Sequence, residues 1–173
     1  NIDGIKVSKK QNGKIAYIKL SQFVDSTNKD WISIINQFVL QLGTNNNIKG
    51  LVIDLRNNPG GYLGDAVYIS SEFLKQGTPV VIEEGAIGAK KTVSVSRKGL
   101  IYDVPIVIII NKGSASASEI VSGALRDNKR AILVGEKSFG KGTIQEAADL
   151  GNGVGLHVTI AKWLTPNGTW VNG

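Results

Sequence analysis

The sequence contains no cysteine and no methionine, and its single histidine is His157. Without cysteine there are no disulfides, thiol nucleophiles or thiolate metal sites, although the cellular compartment stays open. One histidine and dispersed carboxylates do not make a metal-binding cluster, so we expect neither a metal nor another cofactor. Because the chain starts at Asn1 and lacks methionine, we interpret it as an excised fragment.

The sequence also lacks long apolar runs and clustered charge. The run Val104–Ile110 is far shorter than the roughly 20 residues of a membrane span. The net charge is +6, but basic residues are scattered in pairs such as Lys9-Lys10, without interleaved aromatic residues. We therefore expect no nucleic acid partner. With 173 residues, 42% of them hydrophobic, the chain is long enough for one domain with a substantial core.

Alternating apolar patterns predict strands, and apolar stripes at helical spacing predict helices between them. This order is typical of an α/β domain with a mixed sheet flanked by helices and with some strands joined as hairpins. The predicted strands are Ile5–Val7, Ile15–Leu20, Leu51–Leu55, Val80–Glu84, Thr92–Arg97, Val104–Ile110, Ala131–Val134, Thr143–Glu146 and Leu156–Lys162, and the predicted helices are Asp30–Leu42, Leu63–Leu74 and a third that follows Ser118.

Two predicted strands end in abrupt turns rich in glycine or serine. Asn57–Gly61 follows one strand, and Gly113–Ala117 follows another. In open α/β sheets, functional sites gather at the carboxyl ends of strands. We therefore expect these two turns to lie side by side and to offer backbone N–H groups to a single oxygen atom. The alternative is that Pro59-Gly60-Gly61 is only a tight turn.

The second turn carries three serines, Ser114, Ser116 and Ser118, at the predicted start of a helix. Unpaired N–H groups and partial positive charge at a helix start stabilise an oxyanion, so a serine there is a candidate nucleophile. Serine is also a common N-cap residue, whose role is purely structural. Both interpretations remain open from the pattern alone.

The loop Gly135–Thr143 resembles a phosphate-binding loop but does not meet its requirements. Gly142 stands where a magnesium-binding serine or threonine is needed, and the following residues predict a strand instead of a helix. Lys141 is instead a candidate general base. Its neighbours Gly140 and Gly142 allow close backbone packing, so we expect a desolvated lysine, whose pKa burial would lower.

His157 is the other candidate base. It alternates with Leu156 and Val158 in a predicted strand, so it faces away from their shared apolar side. We therefore expect a half-buried or exposed structural histidine. A serine–lysine mechanism is favoured over a serine–histidine one, if the chain is an enzyme.

Four segments together resemble the C-terminal processing, or tail-specific, serine peptidases. They are Gly50–Gly61, Ser114–Ile120, Val134–Gln145 and Leu164–Gly168, and they occur in the order of that family. The resemblance covers most of the chain from about Ile15 onward. It implies the ClpP/crotonase-like α/β core, with a mixed β-sheet flanked by helices.

The resemblance also implies a role for each candidate site residue. By their positions in the family motifs, the nucleophile is Ser116, the general base is Lys141, the residue that orients the base is Gln145, and the oxyanion-hole donors are the N–H of Ala117 and one from Gly60 or Gly61.

The implied activity is that of a serine endopeptidase with a Ser-Lys dyad, cleaving proteins near their C-termini through an acyl-enzyme. Residues 1–173 are expected to form one core domain, without the PDZ domain and C-terminal segments usual in the family. The resemblance implies protein or peptide substrates and an extracytoplasmic location, in the periplasm or cell envelope. It leaves open membrane association through the absent segments, and homo-oligomer formation. The alternatives are a non-catalytic peptide- or hydrophobic-ligand-binding module on the same fold, and an interaction domain whose serines only cap a helix.

Overall fold

The structure is a computed structural model that describes residues 5–43, 48–149, 151 and 154–172. In chain order its elements are β1 Ile5–Lys10, β2 Ile15–Leu20, α1 Thr27–Gly43, β3 Gly50–Asp54, α2 Leu63–Ser70, β4 Pro79–Gly85, β5 Lys90–Ser94, β6 Ile106–Ile110, α3 Ala117–Asp127, β7 Ala131–Gly135, β8 Thr143–Asp149 and β9 Gly155–Leu164.

The strands form two sheets, of which the first is mixed, as predicted, and the second is a separate sheet that the sequence did not indicate. The first has the order β1-β2-β3-β6-β7 and is parallel except for β1, which pairs with β2 as the predicted hairpin. The second has the order β5-β4-β9-β8 and is antiparallel throughout. Since β3 and β6 are parallel neighbours, their carboxyl ends, and the turns that follow, meet at one edge of the first sheet.

The core is one hydrophobic cluster that includes residues of both sheets and all three helices. Trp31 of α1 meets Phe73 edge-on, with ring centroids 5.9 Å apart. Helices α2 and α3 pack against each other, and α3 also packs against β4. No helix within the described ranges is both long and apolar enough to cross a membrane.

Some predicted boundaries differ from the structure. The second helix ends at Ser70 instead of Leu74, because the chain tightens there: the Phe73 N–H donates to the Ser70 carbonyl three residues back, at 3.1 Å. Phe73 and Leu74 are nevertheless buried, as expected. Helix α1 runs to Gly43, the limit of the described residues; the polar sequence of residues 44–47 predicts the end of this helix, but these residues lie outside the described ones. The glycine-containing sequence 151–153 predicts a turn between the last two strands, and of these residues the structure describes Gly151 alone.

A buried carboxylate, Asp54, anchors the turn that follows β3. It accepts hydrogen bonds from the Arg56 backbone N–H at 3.0 Å, from the Arg56 guanidinium at 2.9 and 2.7 Å, and from the Tyr17 hydroxyl of β2. Burial alone raises the pKa of the Asp54 carboxyl, but these hydrogen bonds outweigh it and lower the pKa to about 2. The ionised form of Asp54 therefore stabilises the folded chain.

We expect Asp54 to contribute to stability above pH 3.8, its ordinary pKa, and to lose that contribution as the pH falls toward about 2. A shift of this size corresponds to about 2 kcal/mol of unfolding free energy. Urea unfolding of the parent and of Asp54→Asn from pH 2 to 7 measures it, with the exposed Asp103→Asn as control. Equal pH dependence in the parent and Asp54→Asn would contradict the assignment.

Candidate active site

Ser116 lies where β6 turns into α3. It occupies the N-cap position of α3 with φ 54° and ψ −116°, outside the regions that residues with a β-carbon ordinarily adopt. Such strain persists only where surrounding contacts hold it, and it is concentrated at functional sites. A sharp strand-to-helix turn of this kind presents a serine hydroxyl for attack.

The neighbouring serines are fixed in structural hydrogen bonds. Ser114 is fully buried, and its hydroxyl accepts from the Asn111 N–H at 3.0 Å and donates to the Leu55 carbonyl at 2.8 Å. The hydroxyl of Ser118, also fully buried, donates to the Asn58 carbonyl at 3.0 Å. Ser116 is partly exposed and borders a cavity. Of the three hydroxyls, that of Ser116 is therefore the accessible one.

The prediction that the two turns lie side by side is confirmed. The amides of Asn57 and Asn111 pair: the Asn57 backbone N–H donates to Asn111 Oδ1, and Asn111 Nδ2 donates to Asn57 Oδ1, both at 2.9 Å. The Ala115 N–H donates to the Asn58 carbonyl at 3.0 Å. Gly60 packs so closely that an added β-carbon would lie 2.6 Å from the Ala115 carbonyl oxygen.

The oxyanion-hole candidates differ in whether their N–H groups are free. The Gly60 N–H donates to Asn58 Oδ1 at 2.9 Å and is therefore engaged. Ala117 is the first residue of α3, so its N–H has no acceptor within the helix. Within the described residues, neither the Ala117 N–H nor the Gly61 N–H makes a hydrogen bond. The free donors at this site are therefore those of Ala117 and Gly61.

Lys141 lies in the segment between β7 and β8, and both of its backbone polar groups are held. Its N–H donates to the Glu119 carboxylate at 3.0 Å, and its carbonyl accepts from the Trp163 indole at 2.8 Å. The expectation of a desolvated lysine is wrong, because Lys141 is exposed. The flanking Gly142 is buried and packs against Trp170, so close packing surrounds the backbone there although Lys141 itself is exposed.

A cavity of about 340 Å³ brings the predicted catalytic residues together. Ser116, Lys141 and Gln145 all line it, although they come from a helix start, a loop and a strand of the second sheet. A cavity of similar volume, about 380 Å³, is lined by Glu84 and Lys162 and contains none of these three candidates. The remaining lining of the first cavity is largely apolar and aromatic: Gly61, Tyr62, Leu63, Ile120, Thr143, Ile144, His157 and Trp163.

His157 is exposed, as predicted, but it also lines the cavity that contains Ser116. It lies on β9, paired in register with Ala147 of β8. The prediction that Leu156 and Val158 lie on a buried side opposite it is wrong, because both are exposed, at 47% and 44%. Alternation along β9 also could not show that His157 borders the cavity. Position alone therefore leaves two candidate bases, Lys141 and His157. Among the described residues, no three His, Cys, Asp or Glu side chains come close enough to hold a metal ion.

One residue of the site that the sequence reasoning missed is Glu119. It is only 4% exposed, lies in the first turn of α3, and its carboxylate accepts hydrogen bonds from three backbone N–H groups. A glutamate three residues after an N-cap serine is the capping-box pattern, and that spacing from Ser116 was visible in the sequence. The pattern does not indicate the two contacts that Glu119 makes to the lysine segment.

Comparison with known proteins gives a consistent result. Residues 14–173 match the model of "Peptidase family S41". The chain is 39% identical to "Carboxy-terminal processing protease CtpB" of Bacillus subtilis over 95% of its length and 33% of that protein. It is 42% identical to "Carboxyl-terminal-processing protease" of a Picosynechococcus species over 93% of its length and 37% of that protein.

A solved structure titled "Photosystem II D1 C-terminal processing protease" superposes on 99% of the chain and 46% of its own, with a TM-score of 0.84 and 30% identity. The chain thus spans about a third of the length of the curated relatives it matches. The predicted ClpP/crotonase-like fold agrees with this likeness. The family model, the curated relatives and the solved structure therefore agree: the chain belongs to peptidase family S41.

Proposed function

We propose that this chain is the core of a serine endopeptidase that cleaves proteins near their C-termini, with Ser116 as nucleophile and Lys141 as general base. The observation that carries the proposal is the convergence of Ser116, Lys141 and Gln145 on one cavity, at the start of a helix with a free N–H. The substrate class is inferred from relatives named carboxy-terminal processing proteases. Residues 1–173 act as a single peptidase core.

In the proposed reaction, the neutral amine of Lys141 takes the proton of the Ser116 hydroxyl while Oγ attacks the scissile carbonyl carbon. The tetrahedral intermediate collapses when the C–N bond breaks, and the lysine returns the proton to the leaving amine. Water, deprotonated by the same lysine, then hydrolyses the acyl-enzyme and regenerates Ser116. Gln145, on β8 beside the cavity, orients the lysine amine. Every proton removed is returned, so no cofactor is required.

The oxyanion of each tetrahedral intermediate is stabilised by the N–H groups of Ala117 and Gly61, which make no other hydrogen bond among the described residues. Donors of this type typically contribute ~2.7–4 kcal/mol each to transition-state stabilisation. The Gly60 N–H has a different role: its bond to Asn58 Oδ1 fixes the peptide that precedes the Gly61 donor.

The proposal extends to setting. We infer that the protein acts outside the cytoplasm, in the periplasm or cell envelope, as the resemblance to tail-specific peptidases implies. Its partners are protein or peptide substrates presenting C-terminal segments.

The exposure of Lys141 is consistent with a peptide substrate, because an extended peptide in the cavity would cover the lysine amine and displace water from it.

A second function, a non-catalytic peptide-binding module, is favoured by one observation: Lys141 is exposed, whereas a general base usually lies in a less solvated environment. A module of this kind would use the apolar cavity wall for binding and would need no reactive serine. The two functions therefore differ in the reactivity of Ser116.

A fluorophosphonate probe distinguishes them, because it phosphonylates activated serines and spares serines that only cap helices. We expect the parent chain to gain one phosphonyl group, located at Ser116 by peptide mass spectrometry, and Ser116→Ala to gain none. Ser114→Ala is the matched control, since it removes a hydroxyl two residues away and should leave labelling intact where the chain stays folded. An unlabelled, folded parent would favour the binding module.

A further inference from the structure

The carboxylate of Glu119 contacts both loops of the proposed dyad. Glu119 Oε2 accepts from the Ser116 N–H at 2.8 Å and from the Lys141 N–H at 3.0 Å, and Oε1 accepts from the Gly140 N–H at 2.7 Å. The side chain is 4% exposed. One buried side chain thus hydrogen-bonds to the backbone of the proposed nucleophile and of the proposed base.

These loops belong to different parts of the fold. Ser116 ends the turn after β6 of the first sheet, and Lys141 precedes β8 of the second sheet. A backbone bond from the Phe139 N–H to the Ser114 carbonyl, 2.9 Å long, also joins the loops, but it contacts neither proposed catalytic residue. The Glu119 carboxylate, in contrast, accepts hydrogen bonds from the backbone N–H groups of Ser116 and Lys141 themselves.

We propose that Glu119 is a positioning residue that sets the relative placement of Ser116 and Lys141, an inference that rests on the proposed function. Its bond to the Ser116 N–H helps to hold that residue at φ 54°. On the lysine side, Glu119 fixes the N–H of Lys141 while the Trp163 indole fixes its carbonyl. The Lys141 side chain therefore extends from a backbone that is held on both sides, and Glu119 supplies the contact on the serine side.

A helix cap alone does not account for this arrangement. An acidic residue in the first turn stabilises a helix through the partial positive charge there, and one bond to the N-cap N–H completes the cap. The two further bonds go to Gly140 and Lys141, about twenty positions along the chain, and do nothing for the helix. Capping and bridging are therefore separable roles of one carboxylate.

Glu119→Asp separates them. Aspartate keeps the charge in the first turn of the helix but is one methylene shorter, so it loses reach to the lysine segment. Glu119→Gln keeps the length but places an amide donor against at least one of the three N–H groups. The matched control is Glu72→Gln: Glu72 is 2% exposed and accepts from the Leu100 N–H at 2.7 Å and from Arg97 at 2.9 Å, away from the cavity.

The experiment measures the second-order rate of fluorophosphonate labelling at Ser116, with thermal unfolding of every variant in parallel. We expect Glu119→Asp and Glu119→Gln to lower the labelling rate by about 30-fold or more, a loss that approaches the roughly 10²- to 10⁴-fold contribution of general-base assistance. The midpoint of Glu119→Asp should fall no further than that of Glu72→Gln, so that loss of stability alone does not explain the slower labelling. Glu72→Gln should lower the midpoint but label at the parent rate per folded molecule.

A second comparison reports on positioning directly. In a Lys141→Ala background, Glu119→Asp should change the residual labelling rate by less than about threefold, because residues that act as a unit are not additive. A purely structural role would lower both rates by the same factor.

Four results would overturn the inference. Labelling of Glu119→Asp within threefold of the parent would reduce Glu119 to a cap, and equal factors in the two backgrounds would make its role structural. Failure of both Glu119 variants to fold would likewise assign the carboxylate to stability instead of positioning. A folded parent that does not label overturns the proposed function, and this inference with it, whereas a parent that labels keeps the proposed function whatever the Glu119 variants do.

Discussion

Lys141→Ala is expected to abolish peptidase activity, whereas His157→Ala should leave most of it. Both side chains line the cavity that contains Ser116, so position does not choose between them. Removing a general base typically lowers the rate by about 10²- to 10⁴-fold. In a serine–lysine mechanism, Lys141→Ala should cause a loss of this size and His157→Ala should not. Ser116→Ala should be as inactive as Lys141→Ala, because removing any one member of a catalytic unit removes its whole effect.

The measurement is kcat/KM on a peptide with a free C-terminus, with circular dichroism to verify folding of each variant. Lys137→Ala serves as the control for loss of positive charge, since Lys137 is exposed in the same loop but does not line the cavity. It should remain within about threefold of the parent, as is usual for a surface substitution. If His157→Ala were as inactive as Lys141→Ala while still folded, histidine and not lysine would be the base.

Gly60→Ala should strongly damage both the stability and the activity of the chain. An added β-carbon would lie 2.6 Å from the Ala115 carbonyl oxygen, 2.7 Å from Ser116 Cβ and 2.9 Å from the Ala117 nitrogen. Gly60 also has φ +97°, which residues with a β-carbon rarely adopt. The backbone strain alone costs of order 1–3 kcal/mol, and relief of the contacts requires the serine turn to move.

We therefore expect Gly60→Ala to lower the unfolding free energy and, in molecules that still fold, to lower kcat more than it raises KM, because the oxyanion donors shift. The matched control is Gly64→Ala, four residues along in α2, where a β-carbon meets nothing within 4 Å. That change should stabilise the chain by about 0.5–1 kcal/mol. Gly60→Ala with parental stability and activity would mean that the two turns are not in contact.

Much of the site could be predicted because its signals are local. The turn residues Asn57–Gly61 and Gly113–Ala117 end parallel neighbouring strands, and this topology alone brings them together. The serine pattern also predicted a helix start, and α3 begins directly after Ser116. Strand and turn chemistry act over a few residues, so one sequence is enough to identify them.

The errors concern properties that depend on distant parts of the chain. Lys141 was predicted to be desolvated because glycines flank it, but the residue is exposed. Flanking glycines indicate only that the backbone packs closely, whereas exposure of the side chain depends on distant parts of the fold. The engagement of the Gly60 N–H depends on the rotamer of Asn58. Division of the strands into two sheets could not be predicted from alternation, because alternation describes one strand at a time.

The backbone of Ser116 has a consequence for anyone who evolves or redesigns this protein. At φ 54° and ψ −116°, glycine would adopt the backbone conformation at a lower energetic cost than serine. Every folded copy thus carries a conformational cost that, under the proposed function, serves chemistry and not folding. A library screened only for heat resistance or expression yield would therefore enrich glycine at position 116 and converge on inert molecules. If Ser116 is the nucleophile, as proposed, thermostable versions have to be selected on turnover, because stability and reactivity then compete at the same residue.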